Sequence, residues 1–381
     1  MFVVGVVKMH YSLIKFVVGG MKNIYVDNWE SIKDRFEKWW NCDVLDKPLM
    51  RIVAAGKPGN IIEVEEPNDP KDKFLNVSNI IKRSRNYFET HHFLADAFPS
   101  ANINLGPGSM ALYLGGEPEF TWNTLWFREK CESPEDFKGL HFNKDNYWWL
   151  VHQKMMQEAV ELANGEFFIN IPDIVENLDI LSALRGPQNL CFDLIDNSEA
   201  VHEGLKIIDK YYFNYYDGCY KLLKDKDNSS SYTFYNVLGK GRTAKIQCDF
   251  CAMISPQMFR DLVQPSLRKQ CQNLDYSIYH LDGPDAIKHV PALMEIKELN
   301  ALQWTCGAGK PDGSCQDWYF IYDQVLAAGK SLWIFIEDGS PEDWERNALR
   351  LVKHYGAKGL YLIFPDFPDL YSAQRMAGIF N

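Results

Sequence analysis

The segment IYHLDGP at 278–284 is where residue types first suggest chemistry. A strand-like apolar run ends in His280 and Asp282, and Gly283-Pro284 turns the chain. Residues two apart on a strand point the same way, so the imidazole and the carboxylate project together. Such a pair suits two ligands of one metal ion, or an acid–base couple. The structural alternative has Asp282 capping the loop and His280 bonding a backbone carbonyl. LQWTCGAG at 302–309 follows, with Trp304 and Cys306. Trp304 reads as a cleft wall or core ring, with stacking on a substrate as the functional alternative. Cys306 is either a ligand or simply a small residue beside Gly307. In KIQCDF (245–250), Gln247 and Asp249 share one side, opposite Ile246, Cys248 and Phe250. A buried carboxylate is costly unless paired, so Asp249 needs a partner or a substrate to orient. Asp173 and Arg185 either pair with each other or bind substrate, and Glu337 is a further carboxylate close after a strand.

These residues need a frame. Short apolar runs at 50–55, 101–105, 166–171, 245–250, 276–281, 300–304, 331–336 and 359–363 alternate with amphipathic helical stretches. The clearest helices are 149–164, 194–224, 256–274, 285–297, 315–329 and 341–356. Ser255-Pro256 and Ser340-Pro341 place a cap residue before a proline at the first helical position. Strands alternating with helices predict the α/β class and a (β/α)8 TIM barrel, whose chemistry sits where strands end. Asp173, Asp249, His280, Asp282, Cys306 and Glu337 all fall at or near such ends. The first half carries long insertions at 56–100 and 106–148, and 225–243 reads as a polar loop. The simplest organisation is an N-terminal extension, 1–30, before one barrel domain, 31–381. His91-His92 read as surface residues on a helix. The glycine-rich LGPG (105–108) and GAG (307–309) match no phosphate or dinucleotide fingerprint.

The 381 residues carry a net charge of −11, which argues against a nucleic-acid partner. The apolar start, 1–20, is broken by Lys8, His10 and Lys15. Its longest uncharged run is too short to span a bilayer, and it lacks the order of a signal peptide. Met21 is an alternative start. Nine cysteines at irregular spacings point to a reduced, cytoplasmic setting. Cys248 and Cys251 form a lone C-x-x-C and read as packing residues rather than a redox pair.

CDFCAMISPQMFRDLVQPSLRKQ (248–270), IYHLDGP and LQWTCGAG together resemble the uroporphyrinogen decarboxylase superfamily. RFEKWWNCDVLDKPLM (35–50), DAFPSANINLGPG (96–108) and DIVENLDILSALRGPQNL (173–190) extend the resemblance over roughly 30–365. It is greatest toward that superfamily's uncharacterised decarboxylase-like branch. The resemblance implies a (β/α)8 barrel and either a decarboxylase or a zinc-dependent methyltransferase acting on a corrinoid protein or coenzyme M. It also implies a homodimer. Two departures narrow the activity. The decarboxylases grip substrate carboxylates with two closely spaced arginines, where this chain offers only Arg51 and Lys57. The methyltransferases hold zinc with His-x-Cys-Gly and a later Cys. Here the element is His280-Leu281-Asp282-Gly283, and 359–371 has no Cys. Aspartate also ligates zinc, and Cys306 or Glu337 is this chain's own candidate for a third ligand. The leading expectation is a methyltransferase-type activity on a small substrate, zinc-assisted and linked to a corrinoid protein. One alternative is a carbon–carbon lyase in which Asp249 stabilises positive charge and Arg185 anchors a carboxylate. A non-catalytic small-molecule binding protein is the other.

Overall fold

Each of the eight apolar runs overlaps a strand in the computed structural model, which describes residues 22–381. Seven strands form one sheet in the order His91–Ala95, Leu49–Ala55, Leu360–Ile363, Ser331–Phe335, Ala301–Thr305, Tyr276–Asp282, Thr243–Gln247. All neighbours are parallel except His91–Ala95, which runs against Leu49–Ala55. Ser100–Asn102 and Phe168–Asn170 form a separate parallel pair. Parallel strands require crossover connections, and helices such as Gln264–Asn273, Tyr319–Ala327 and Pro341–Tyr355 supply them. The fold is therefore α/β on a parallel-strand central sheet. A closed ring would need two further ladders, one on each side of the Ser100–Asn102 and Phe168–Asn170 pair. Neither occurs among the strand pairings of the described residues. Beside Leu49–Ala55, the place of one such ladder is taken by the antiparallel strand.

Two readings are corrected here. His91 and His92 are not helical. The helix Val77–Thr90 stops before them and they open the strand His91–Ala95, whose Phe93 pairs with Val53. The stretch 225–243 is not an open loop but a buried hairpin, Ser229–Tyr232 against Val237–Lys240. Its serines are small enough to pack inside, and Ile171 bridges to Tyr232. Within the first-half insertions lie the helix Pro70–Leu75, the helix Val77–Thr90 and the hairpin Glu117–Phe120/Leu125–Arg128. The expected extension, 1–30, falls for residues 1–21 outside the described residues.

The helix Trp29–Trp40 plugs the end where strands begin. Trp39 Nε1 donates to Leu332 O (3.3 Å) and Gly359 O (3.2 Å), and Trp40 Nε1 donates to Leu238 O (2.7 Å). Chemistry is thereby left to the opposite end. Helix starts follow the sequence signals. Ser255 accepts from Met258 N, and Ser340 and Asp343 form a reciprocal capping box. All nine cysteines are free thiols. No helix among the described residues is long and apolar enough to cross a membrane.

Candidate functional site

Strand register builds the site. Gln247, His280, Gln303 and Trp333 are matched across four adjacent strands, so their side chains lie in one layer. The Gln303 amide bridges two groups. Its Nε2 donates to Thr305 Oγ1 (2.9 Å), and its Oε1 takes the hydrogen bond of His280 Nδ1. An amide oxygen can only accept, so Nδ1 carries the proton and Nε2 keeps its lone pair. Burial, then the Lys245 ammonium, holds the His280 pKa below its usual value, so the ring is neutral. His280 Nε2 lies 4.0 Å from Asp249 Oδ1. Asp249, His280 and Asp282 each bring a ligand atom within 4.8 Å of the others.

Asp249 arrives there by a turn. The strand Thr243–Gln247 ends two residues earlier, and a 3₁₀ turn Asp249–Met253 begins. The Asp179 carboxylate fixes that turn, accepting from Asp249 N and Phe250 N (2.9 Å each) and from Gln247 Nε2 (2.8 Å). Gln247 Nε2 also reaches Asp249 Oδ2 (2.9 Å). The Asp249 side chain keeps 48% of its surface accessible, yet it sits in a crowded recess. Burial, then Asp179, raises its pKa to about 7. Burial and the neighbouring Asp179 thus disfavour the Asp249 carboxylate, and a bound cation would favour it.

The other expected residues go elsewhere. Cys306 and Glu337 are not in the three-residue group. Burial, then the carboxylates of Asp312, Glu337 and Asp338, pushes the Cys306 thiol up to about 12, which disfavours the thiolate a metal needs. Asp312 Oδ2 accepts from Glu337 N (2.7 Å) and Asp338 N (2.8 Å), so this cluster clasps two loops together. The residue that joins His280 and Asp282 in a group able to hold a metal ion is Asp249. Trp304 lies on the opposite side of its strand from Gln303. It is buried against Trp318, with ring centroids 5.2 Å apart. Asp173 and Arg185 do not pair with each other. Asp173 binds Lys245 Nζ (2.8 Å) and accepts from Tyr232 OH (3.1 Å), while Arg185 Nε holds Asp193 (2.8 Å).

Sequence reasoning missed Lys245, Gln303, Asp179 and Glu176. Lys245 could have been found, since it precedes Gln247 by two and shares its face. Glu176 is fully buried. Its Oε1 accepts from Gln247 N (2.6 Å), and burial raises its pKa well above the carboxylate range.

A cavity of about 390 Å³ lies beyond Tyr235, and none of Asp249, His280 and Asp282 lines it. Tyr235 lines it, and the Tyr235 and His280 ring centroids are 5.9 Å apart. Burial, then the carboxylates of Asp173, Asp249 and Asp282, raises the Tyr235 phenol well above its usual value. Trp333, Phe335, Phe93 and Phe364 line further walls, with Asn102 and Asn170 as polar groups. A second cleft of about 620 Å³ shares Tyr87, Phe88, Ser100 and Asn102 with it.

No family model matches the chain, and no curated protein matches it in sequence. A solved structure does: a methyltransferase from Methanosarcina mazei, with a TM-score of 0.61 at 10% identity. The match covers 92% of this chain and 98% of that one. At that identity the likeness is one of fold.

Proposed function

We propose that the chain is a methyltransferase-type enzyme of the uroporphyrinogen decarboxylase superfamily, with a zinc ion held by Asp249, His280 and Asp282. The observation that carries the reading is the donor set: one neutral imidazole nitrogen and two carboxylates converging where strands end. The fold of the methyltransferase neighbour agrees with it. A zinc ion held there supplies a Lewis acid that lowers the pKa of a bound thiol or water. The chain's own residues do the rest. Gln303 fixes the His280 tautomer, Asp179 fixes the turn that carries Asp249, and the aromatic cavity seats the small substrate. A corrinoid protein as methyl carrier and a homodimeric assembly belong to the same reading, on the superfamily resemblance alone. The lyase alternative relied on Arg185, whose guanidinium is engaged by Asp193.

Zinc titration of chelator-stripped protein tests the reading. One equivalent should bind and raise the melting temperature. His280→Ala and Asp282→Asn should each weaken binding by about tenfold or more. Protein that takes up no zinc and gains no thermal stability would overturn the metal centre.

A further inference from the structure

The charges around the cavity decide what kind of molecule it takes. Arg51 is the cation on its wall, and its guanidinium is already engaged. Nη1 donates to Phe364 O and Asp366 Oδ1, and Nη2 to Asp366 Oδ1 and Tyr87 OH, at 3.2–3.3 Å. Tyr87 OH donates to Asp366 Oδ2 (2.6 Å), closing the cluster. Lys245, near His280 and Asp249 and not on the cavity wall, is held by Asp173. An incoming carboxylate or sulfonate would therefore find no unengaged cation on this wall.

The rings favour the opposite charge. Tyr235 and Trp333 meet at 74° with centroids 5.7 Å apart, and Tyr87 and Phe93 at 83° and 6.2 Å. All four rings line the cavity, and one face of Tyr87 is covered by the stacked His91 ring, 4.0 Å between centroids. Ring faces carry negative electrostatic potential and attract cations, most strongly where water is excluded. A methylated ammonium suits such walls because its charge is spread over methyl groups. It needs no hydrogen-bond acceptor and loses little hydration on entry.

We propose that this cavity selects a small quaternary ammonium compound over an anion or a neutral molecule of the same shape. The inference rests on the reading of this end of the fold as the substrate site, and it names the substrate class. It does not depend on the metal. With zinc in place two carboxylates and the ion sum to neutral, and the ring faces still set the sign of the preference.

Choline and its uncharged isostere 3,3-dimethyl-1-butanol separate the terms, because they differ in charge and hardly in shape. Titration of the full chain, stripped of metal by chelator, should show saturable choline binding. The isostere should bind about tenfold more weakly or worse. Tyr235→Leu and Trp333→Leu should each reduce choline binding by a similar factor. Trp333→Phe, which keeps a ring face, should retain most of it, and melting temperatures identify any variant that fails to fold. Equal or tighter binding of the isostere would overturn the proposal, as would no saturable choline binding up to about 10 mM. Because no zinc is present, failure here leaves the metal centre standing, and failure of zinc titration leaves this result standing.

Discussion

At the residue scale the site depends on what each group is made to present. His280 can donate an electron pair from Nε2 because Gln303 Oε1 occupies the other nitrogen's proton. Partners of this kind orient metal-ligating histidines, and losing one typically costs about 10–100-fold in metal affinity. Gln303→Leu should therefore weaken zinc binding by that order. Gln303→Glu, which still offers an acceptor oxygen to Nδ1, should restore it. Isothermal titration of both variants checks this, and equal affinities would show that Gln303 does not position the ring. His280, Asp282 and Asp249 were legible because residue type and strand-end position coincide in them. Gln303 was not, although it lies inside LQWTCGAG, because its meeting with His280 depends on the register between two separate strands. Cys306 shows the converse. A strand end brings a residue to the right end of the fold without deciding which neighbours it meets.

At the element scale, short apolar runs alternating with amphipathic helical stretches made all eight parallel strands readable. The hairpin Ser229–Tyr232/Val237–Lys240 was hidden because SSSY has no apolar alternation, and its burial follows from what surrounds it. Where no ladder joins Phe168–Asn170 to Thr243–Gln247, side chains tie the segments. Lys245 binds Asp173, Glu176 Oε1 accepts from Gln247 N, and Asn177 Nδ2 donates to Gln247 O (2.7 Å). Val175 and Asn177 flank Glu176 with φ of +55° and +44°. The left-handed region is costly for a β-branched residue, so the packing around Glu176 must hold this backbone in place. Removing one member of a buried ion pair strands the other and costs about 3–5 kcal/mol. Lys245→Met should lose about that much in urea unfolding. Lys245→Met with Asp173→Asn should recover a large part, because the asparagine is uncharged and its oxygen still accepts from Tyr232. A double variant no more stable than the single one would show that the pair is not what joins these elements.

At the scale of the whole molecule, buried titratable groups of opposite tendency set the response to acid. Burial raises the carboxyl pKa of Asp96, Asp209 and Glu176, and each such group contributes stability at low pH that is lost as pH rises. His152 works the other way. It lies on the helix Tyr147–Ala163 and is fully buried. Its Nε2 donates to Ile103 O (3.0 Å) and its Nδ1 accepts from Tyr113 OH (2.5 Å), tying the first-half insertion to the chain after Ser100–Asn102. Burial lowers its pKa from 6.5 to about 4. Between those values the unfolded chain binds the proton and the folded chain does not. The contribution of His152 is therefore complete above about pH 6.5 and disappears as pH falls toward 4, at up to roughly 3 kcal/mol. The carboxyl shifts obscure this in the wild-type profile alone, so the informative quantity is a difference. His152→Gln should be less stable than wild type at pH 7, since glutamine fits the two partners less well. The gap should narrow by about 2 kcal/mol on going to pH 4.5, where only the wild type still excludes a proton. Denaturant unfolding at both pH values measures it, and a gap independent of pH would mean that His152 contributes packing and hydrogen bonds without a proton linkage.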